Sequence, residues 1–230
     1  MGRFHARCLG DKFYACAGYA DVGGRQWDQE HCDVFDWTER KWKSRKSMDV
    51  ALSYPASAVA DNRFLYLVGG WQWTSKRAQN TVRRYDSRTD SWTALTRMRP
   101  PAVWSAAAAA APSGERSGHD EVFVCGGAFY EYFFRRRRRR RIRLTNRCHR
   151  YSSTYLWQKS APSLTQPRSY HAMVHWGNRL VVIGGMCGVD GTKFCTTVEE
   201  LDLRLPAHLR QWKVVATMDA PRSRFAAAVM

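Results

Sequence analysis

Apolar residues in this chain gather in short runs, and each run stops at a pair of small residues. Phe64-Leu65-Tyr66-Leu67-Val68 runs into Gly69-Gly70, Val122-Phe123-Val124-Cys125 into Gly126-Gly127, and Leu180-Val181-Val182-Ile183 into Gly184-Gly185. A first copy, Phe13-Tyr14-Ala15-Cys16, runs into Ala17-Gly18. Nearly unbroken apolar runs this short predict strands buried on both faces. A polar stretch follows each run. Next comes an aromatic or leucine (Phe35-Asp36, Tyr85-Asp86, Tyr151, Leu201-Asp202), and then Trp42, Trp92, Trp157 or Trp212. The second glycines fall at 18, 70, 127 and 185, with periods of 52, 57 and 58 residues.

A recurring unit of about 50 residues with ordered landmarks predicts stacked four-stranded sheets, the blades of a β-propeller. The copies span about 3–48, 54–98, 103–162 and 168–218. Strands are expected near 3–9, 12–18, 32–37 and 41–45 in the first copy, and near 54–60, 63–70, 81–86 and 91–95 in the second. The third is expected at 103–111, 121–127, 147–151 and 156–159, and the fourth at 170–176, 179–185, 197–203 and 211–215. The fold class is therefore all-β: four complete four-stranded blades plus the first strand of a fifth, 222–230, in what reads as part of a larger ring. Lacking Cβ, the glycine pairs allow a sharp turn and close backbone approach. Asp61-Asn62 and Gly177-Asn178 supply tight turns between first and second strands.

The copies drift. Ala17 replaces a glycine, the third copy lacks the Asp after Tyr151, and the fourth gains Arg204 to Arg210 before Trp212. Loop length alters stability slowly, so such drift is tolerable in connections. The tract Ala106 to Ala111 favours a helix in isolation, but the repeat frame places it in a first strand.

These landmarks (glycine pair, third-strand aromatic, fourth-strand Trp) resemble the kelch repeat over nearly the whole chain. Their regularity is similar to that of the propeller in BTB–kelch proteins. The resemblance implies a protein-interaction module that captures a substrate, with BTB and BACK domains, absent from these residues, engaging a cullin-RING ubiquitin ligase. It also implies that Arg and Ser at first-strand entries grip acidic peptides. Arg168, Ser169 and Tyr170, and Arg222 and Ser223, stand at that position. An actin-binding kelch protein is the alternative within the same class, and a kelch-fold enzyme is a more distant one.

Composition adds a second feature. Lys and Arg number 37 against 20 Asp and Glu, a net charge of +17. The run Arg135 to Arg141 supplies seven of these, so the remainder is still +10. The run lies between Gly127 and Tyr151, 24 residues apart where the second copy has 15, and reads as a self-repelling inserted loop. The second-to-third-strand loops are basic and aromatic, with Arg25, Trp27, Trp71, Trp73, Arg77 and Tyr130. Exposed Trp and Arg are hot-spot residues, so this rim, with Trp71 and Trp73, is the candidate site for a protein substrate or acidic peptide. Neither a specific nucleic acid nor a membrane is expected as partner.

No Gly-x-Ser-x-Gly or phosphate-binding glycine motif is present. His171 and His175, four apart on a strand, lie roughly 13 Å apart and share no ion. No cofactor, metal or catalytic residue is expected. Repeat equivalence reads Cys16, Cys32, Cys125 and Cys148 as buried free thiols, because Val68, Val82, Ile183 and Val198 occupy the matching positions. Cys187 and Cys195 share one loop and have the reach to approach each other. With no signal-peptide core and an odd cysteine count, a cytoplasmic or nuclear setting is expected.

Overall fold

The computed structural model describes residues 3–9, 11–98, 106–110, 121–132, 140–152, 156–225 and 227. The chain divides into two compact units, Met1–Val103 and Trp104–Met230. The first holds two larger antiparallel sheets and a two-stranded ribbon, Trp71–Gln72 with Arg77–Ala78. One is built from Arg3–Leu9, Lys12–Val22, Cys32–Asp36 and Lys41–Arg45, with Arg25–Asp28 added beside the long second strand. The other is built from Ala56–Ala60, Phe64–Val68, Val82–Asp86 and Ser91–Leu95. The second unit repeats the plan twice: Ala106–Ala110, Glu121–Cys125, Cys148–Ser152 and Leu156–Ala161, then Ala172–Trp176, Arg179–Ile183, Thr197–Asp202 and Lys213–Thr217. The only helical turn among the described residues, Ala207–Leu209, sits in the insertion before Trp212. The alanine tract is a strand, with Ala108 opposite Phe123, because pairing with a buried neighbour outweighs weak helix propensity.

The glycine pairs organise each sheet through backbone bonds that recur at equivalent places. At the first position Ala17, Gly69, Gly126 and Gly184 all adopt positive φ, from 57° to 66°. Each donates its N–H to the chain just ahead of, or at the start of, its own third strand, at His31, Thr81, Arg147 and Thr197 (2.9–3.2 Å). At the second position Gly18, Gly70, Gly127 and Gly185 have φ of 97–111°. Their carbonyls accept from Gln29, Gln79, Thr145 and Cys195 at 2.8–3.0 Å. The N–H groups of Gly18, Gly127 and Gly185 point the other way, into the chain entering the next repeat, at Leu52, Arg168 and Arg222. After each outer strand, Met48, Met98, Leu164 and Met218 bond back to Glu30, Asn80, Asn146 and Thr196 (2.8–2.9 Å).

The Asp after the third-strand aromatic has a local task. Asp36, Asp86 and Asp202 each accept the N–H two residues on, at 2.9–3.0 Å, closing the turn to the outer strand as an Asx turn. Lys43, Arg63 and Arg204 pair with them, and these bonds pull all three carboxyls down to about 2.

Within each unit one sheet packs on the next. Tyr14, Cys16, Cys32 and Val34 of the first sheet meet Leu65 and Tyr85 of the second, with the Tyr14 and Tyr85 rings 5.7 Å apart. Phe123, Cys125 and Cys148 of the third meet Leu180, Leu201 and Trp212 of the fourth. The outer-strand Trp fastens this contact: Trp92 Nε1 donates to the Lys46 carbonyl at 2.7 Å, and Trp212 Nε1 to the Pro162 carbonyl at 3.0 Å. In each case the acceptor follows the outer strand of the preceding sheet.

Two expectations are corrected. The buried cysteines are not free thiols: Cys16 pairs with Cys32 and Cys125 with Cys148, and Cys187 pairs with Cys195. The reason is register. Cys16 lies opposite Cys32, and Cys125 opposite Cys148, with Cα atoms 4.0 and 4.1 Å apart, where the other sheets oppose Val68 to Val82 and Ile183 to Val198. Next, the long third-sheet insertion is a hairpin, Ala128–Tyr132 paired with Arg140–Leu144. Its aromatic and branched residues favour strand pairing. The arginines at 135–139 lie outside the described residues. The expected fifth-blade strand, 222–230, lies partly outside the described residues; within it, the Arg222 carbonyl accepts from Gly185 N–H and Arg224 N–H donates to the Tyr170 carbonyl.

The glycine geometry sets distinct expectations for three substitutions. A Cβ on Gly185 would lie 2.5 Å from the Ser169 carbonyl oxygen and 2.8 Å from His171 Cβ, so Gly185→Ala is expected to cost on the order of 3 kcal/mol or more. Gly23, at φ +60°, has open space around its Cβ direction, and Gly23→Ala should cost only about 1 kcal/mol for the left-handed backbone. Ala17 already bears that strain, so Ala17→Gly should gain about 1 kcal/mol. Urea unfolding of the three variants checks the order; equal losses for Gly185→Ala and Gly23→Ala would contradict the packing described. Native maleimide labelling should modify the exposed Cys8 alone, and fast labelling of Cys16 or Cys125 would contradict their burial.

Candidate functional site

The candidate residues sit where chain enters a sheet beside the preceding glycine pair. In the second unit three segments converge there. Arg168–Ser169 pairs with Met186–Cys187, which pairs in turn with Lys193–Phe194. The Cys187–Cys195 bridge closes this small hairpin. Arg222 lends its carbonyl to Gly185, and Arg224 donates its N–H to the Tyr170 carbonyl at 2.9 Å. Tyr170 adopts φ +52°, and the Arg224 guanidinium lies over its ring, 4.6 Å from the centroid. The long third-sheet hairpin abuts the same place: Leu144 N–H bonds to the Val189 carbonyl at 2.8 Å. Arg222, Arg224, Lys193 and Phe194 are exposed, and Tyr170 and Ser223 are half-buried.

Arg168 has a different role from the one expected at the rim. It is fully buried and paired with Glu199, itself fully buried. Its guanidinium also donates to the Gly184 carbonyl and to Thr197 Oγ1, each at 3.0 Å. Glu199 accepts in addition from Thr165 N–H at 2.8 Å. Every charged partner of Arg168 is thus internal, and the side chain fixes the turn rather than a ligand. Ser169 is buried as well. The sequence did not announce this pairing, since Glu199 and Glu200 stand side by side; strand alternation sends Glu199 inward and Glu200 to Arg179 at the surface.

His171, next along the entry segment, is fully buried, and desolvation together with the Arg168 charge holds its imidazole down at about 3, against the favourable Cys125 backbone carbonyl.

The first unit builds its entry around Asp28. Its carboxylate accepts from Ser53 Oγ and from Trp73 N–H, both at 2.6 Å. Burial pushes this carboxyl upward, opposed by those bonds. Trp71 exchanges backbone bonds with Ser53 (2.6 and 2.8 Å) and is buried. Its ring meets the half-buried Trp73 edge-on at 5.9 Å. Tyr19 and Tyr54 stack nearby at 5.3 Å. Trp27, Arg25 and Arg77 project outward. Of the predicted aromatic pair, Trp71 is a structural support and Trp73 reaches the surface.

The family model described as Kelch motif matches residues 53–99 and 167–219, which are the second and fourth sheets with their entries. Those two segments are kelch motifs. A solved structure titled "Structure of YjhT" is similar to it, with a TM-score of 0.69 at 15% identity, covering 93% of this chain and 68% of that one. At that identity the likeness concerns the fold, a kelch-type β-propeller. No curated protein matches the sequence.

The buried His171 gives the kelch entry a pH signature. The unfolded histidine takes a proton near pH 6.5, whereas the folded one resists it down to about 3. Protons therefore favour the unfolded chain between these values, and stability falls as pH drops through that window. His171→Phe, the residue type found at the equivalent Phe225, should flatten the slope by up to about 1.4 kcal/mol per pH unit. Urea midpoints for both proteins from pH 7 to 4 measure it, and parallel profiles would show that His171 takes up its proton as readily in the fold as in the unfolded chain.

Proposed function

We propose that this kelch chain is a protein-binding module that captures an acidic peptide segment on its basic entry loops. In the fuller form of the proposal it is the substrate-capturing part of a BTB–kelch type adaptor for a cullin-RING ubiquitin ligase. One observation carries the reading: Arg222 and Arg224 stand exposed on the segment that closes over Gly185, with the Arg224 guanidinium over the Tyr170 ring. An arginine held in place loses less side-chain entropy on binding, and its planar fork suits bidentate contact with a carboxylate. Exposed Phe194 and Lys193 on the clasped hairpin beside it supply apolar and cationic contacts. The net charge of +17 steers acidic partners toward the chain. Rigid sheets carrying variable loops are a usual basis for recognition.

The test uses a fluorescein-labelled glutamate-rich peptide with a glutamine-rich control. The acidic peptide should bind more tightly, and less so as salt rises, because exposed charges are screened over about 8 Å at physiological ionic strength. The double variant Arg222→Ala/Arg224→Ala should lose at least tenfold in affinity, given about 1.5–3 kcal/mol for a well-desolvated charged hydrogen bond. Unchanged binding by the double variant would refute the rim. Loss confined to a variant lacking Arg135 to Arg141 would mark the interaction as nonspecific charge attraction.

A further inference from the structure

We propose that the Cys187–Cys195 bridge is a reversible thiol–disulfide switch that orders or releases the loop 188–194. The inference begins with a ribbon that recurs in every repeat. Chain leaving each glycine pair runs out, folds back, and ends in an N–H bonded to the second glycine's carbonyl, at Gln29, Gln79, Thr145 and Cys195. The ribbons differ in length. The first has four opposed pairs, Tyr19–Val22 against Arg25–Asp28, and the third has five, Ala128–Tyr132 against Arg140–Leu144. The second and fourth have two each, Trp71–Gln72 against Arg77–Ala78 and Met186–Cys187 against Lys193–Phe194. So short a ribbon is marginal by itself, and both carry one further link at the same two positions. In the second repeat Gln79 Nε2 donates weakly to Gln72 Oε1 at 3.5 Å. In the fourth, Cys187 and Cys195 are joined covalently. The second repeat therefore closes the same ribbon without a disulfide, and the bridge answers a need other than the fold.

What must open sets this bridge apart. All six bridged cysteines are buried, so a reductant reaches any of them only after local opening. Cys16–Cys32 and Cys125–Cys148 join the central strands of their sheets and lie in apolar cores, and exposing them means parting a sheet. Exposing Cys187–Cys195 means parting two rungs, and the free energy of local opening falls with the structure lost. The electrons come from a dithiol reductant. One of its thiolates attacks Cys195 Sγ and the Cys187 thiolate departs. The reductant's second thiolate then displaces Cys195 from the mixed disulfide. The protein gains two thiols with the protons the reductant gives up, and the reductant becomes a disulfide. Cys187 is the better leaving group, because it stands directly opposite Lys193 on one side and Arg168 on the other, and neighbouring cations favour a thiolate. Glu199 offsets part of the Arg168 charge. Reduction leaves two rungs with no link. The loop then gives up the Val189 carbonyl bonded to Leu144 N–H, and Gly191, which faces the Leu144 side chain, at the base of the long third-repeat ribbon.

Graded dithiothreitol, followed by alkylation and mass mapping of the full chain, tests the order of opening. Cys187 and Cys195 should be alkylated at about tenfold less reductant than the other four bridged cysteines. Lysyl endopeptidase reads the loop, since cleavage after Lys193 tracks its open population and the arginines are left uncut. That cleavage should rise about tenfold over the same range and fall again on reoxidation. Cleavage after Lys76, in the turn of the unbridged second ribbon, should stay constant. Cys187→Gln/Cys195→Gln installs the second repeat's pair and should be cleaved after Lys193 at one rate in both redox states. Opening of all three bridges together overturns the proposal, as does a Lys193 rate that ignores selective reduction. Redox-dependent cleavage that persists in the double glutamine variant overturns it too. The consequence for binding rests on the acidic-peptide reading: reduction should weaken the glutamate-rich peptide several-fold, because Lys193 and Phe194 lose their placement. Oxidised protein that never binds the peptide refutes that reading, and the thiol and cleavage measurements still decide the switch.

Discussion

The backbone of the second glycine in each pair is the constraint on which the rest of this chain depends. Its carbonyl ties the loop returning to the third strand, and at Gly18, Gly127 and Gly185 its N–H ties the entry of the following repeat. Both bonds come from one residue at φ near 100°, a conformation reserved in practice for glycine. A side chain there would strike the entry segment of its own sheet, as the Ser53 and Ser169 carbonyls show at Gly70 and Gly185. Sheet-to-sheet spacing is thus set by backbone contact, and the apolar side chains fill what that spacing leaves.

From this follows the division of labour at the entry segments. Two buried residues beside the glycine pairs take internal partners: Arg168 bonds Glu199, Thr197 and Gly184, and Ser53 bonds Asp28. A buried ion pair seldom adds net stability over an apolar substitute, but losing one partner is costly. Arg168 and Glu199 are best understood as a geometric fixture for the turn. Two positions farther along, Tyr170 is half-buried and its counterpart Arg224 is exposed, as is Arg222 at the position equivalent to Arg168. Binding chemistry and structural chemistry alternate within three or four residues of chain.

Trp92 and Trp212 are each addressed to the sheet before their own, through the Lys46 and Pro162 carbonyls. In the first sheet Phe13, Phe35 and Trp42 hold the matching register. Such recurring contacts fit repeat architectures, which bury their cores through neighbours.

The repeat itself was legible in the amino-acid sequence. Glycine pairs, third-strand aromatics and outer-strand tryptophans recur at fixed offsets because each serves one place in a blade, and a period that long survives loop drift. Strand order and the strand assignment of the alanine tract followed from the frame alone. What the tertiary structure decided were relations between residues with unrelated sequence separations. Cys16 and Cys32 are 16 residues apart, and Cys125 and Cys148 are 23 apart; equivalence identified all four as buried, but only the register set them opposite each other. Arg168 and Arg222 occupy the same repeat position and look alike in sequence, yet one is sealed by an inward Glu199 and the other stands in solvent. Periodicity reports which face a residue takes along its own strand. Whether a charge on that face meets a partner depends on a strand 31 residues away, and that distance closes only when the sheet has formed.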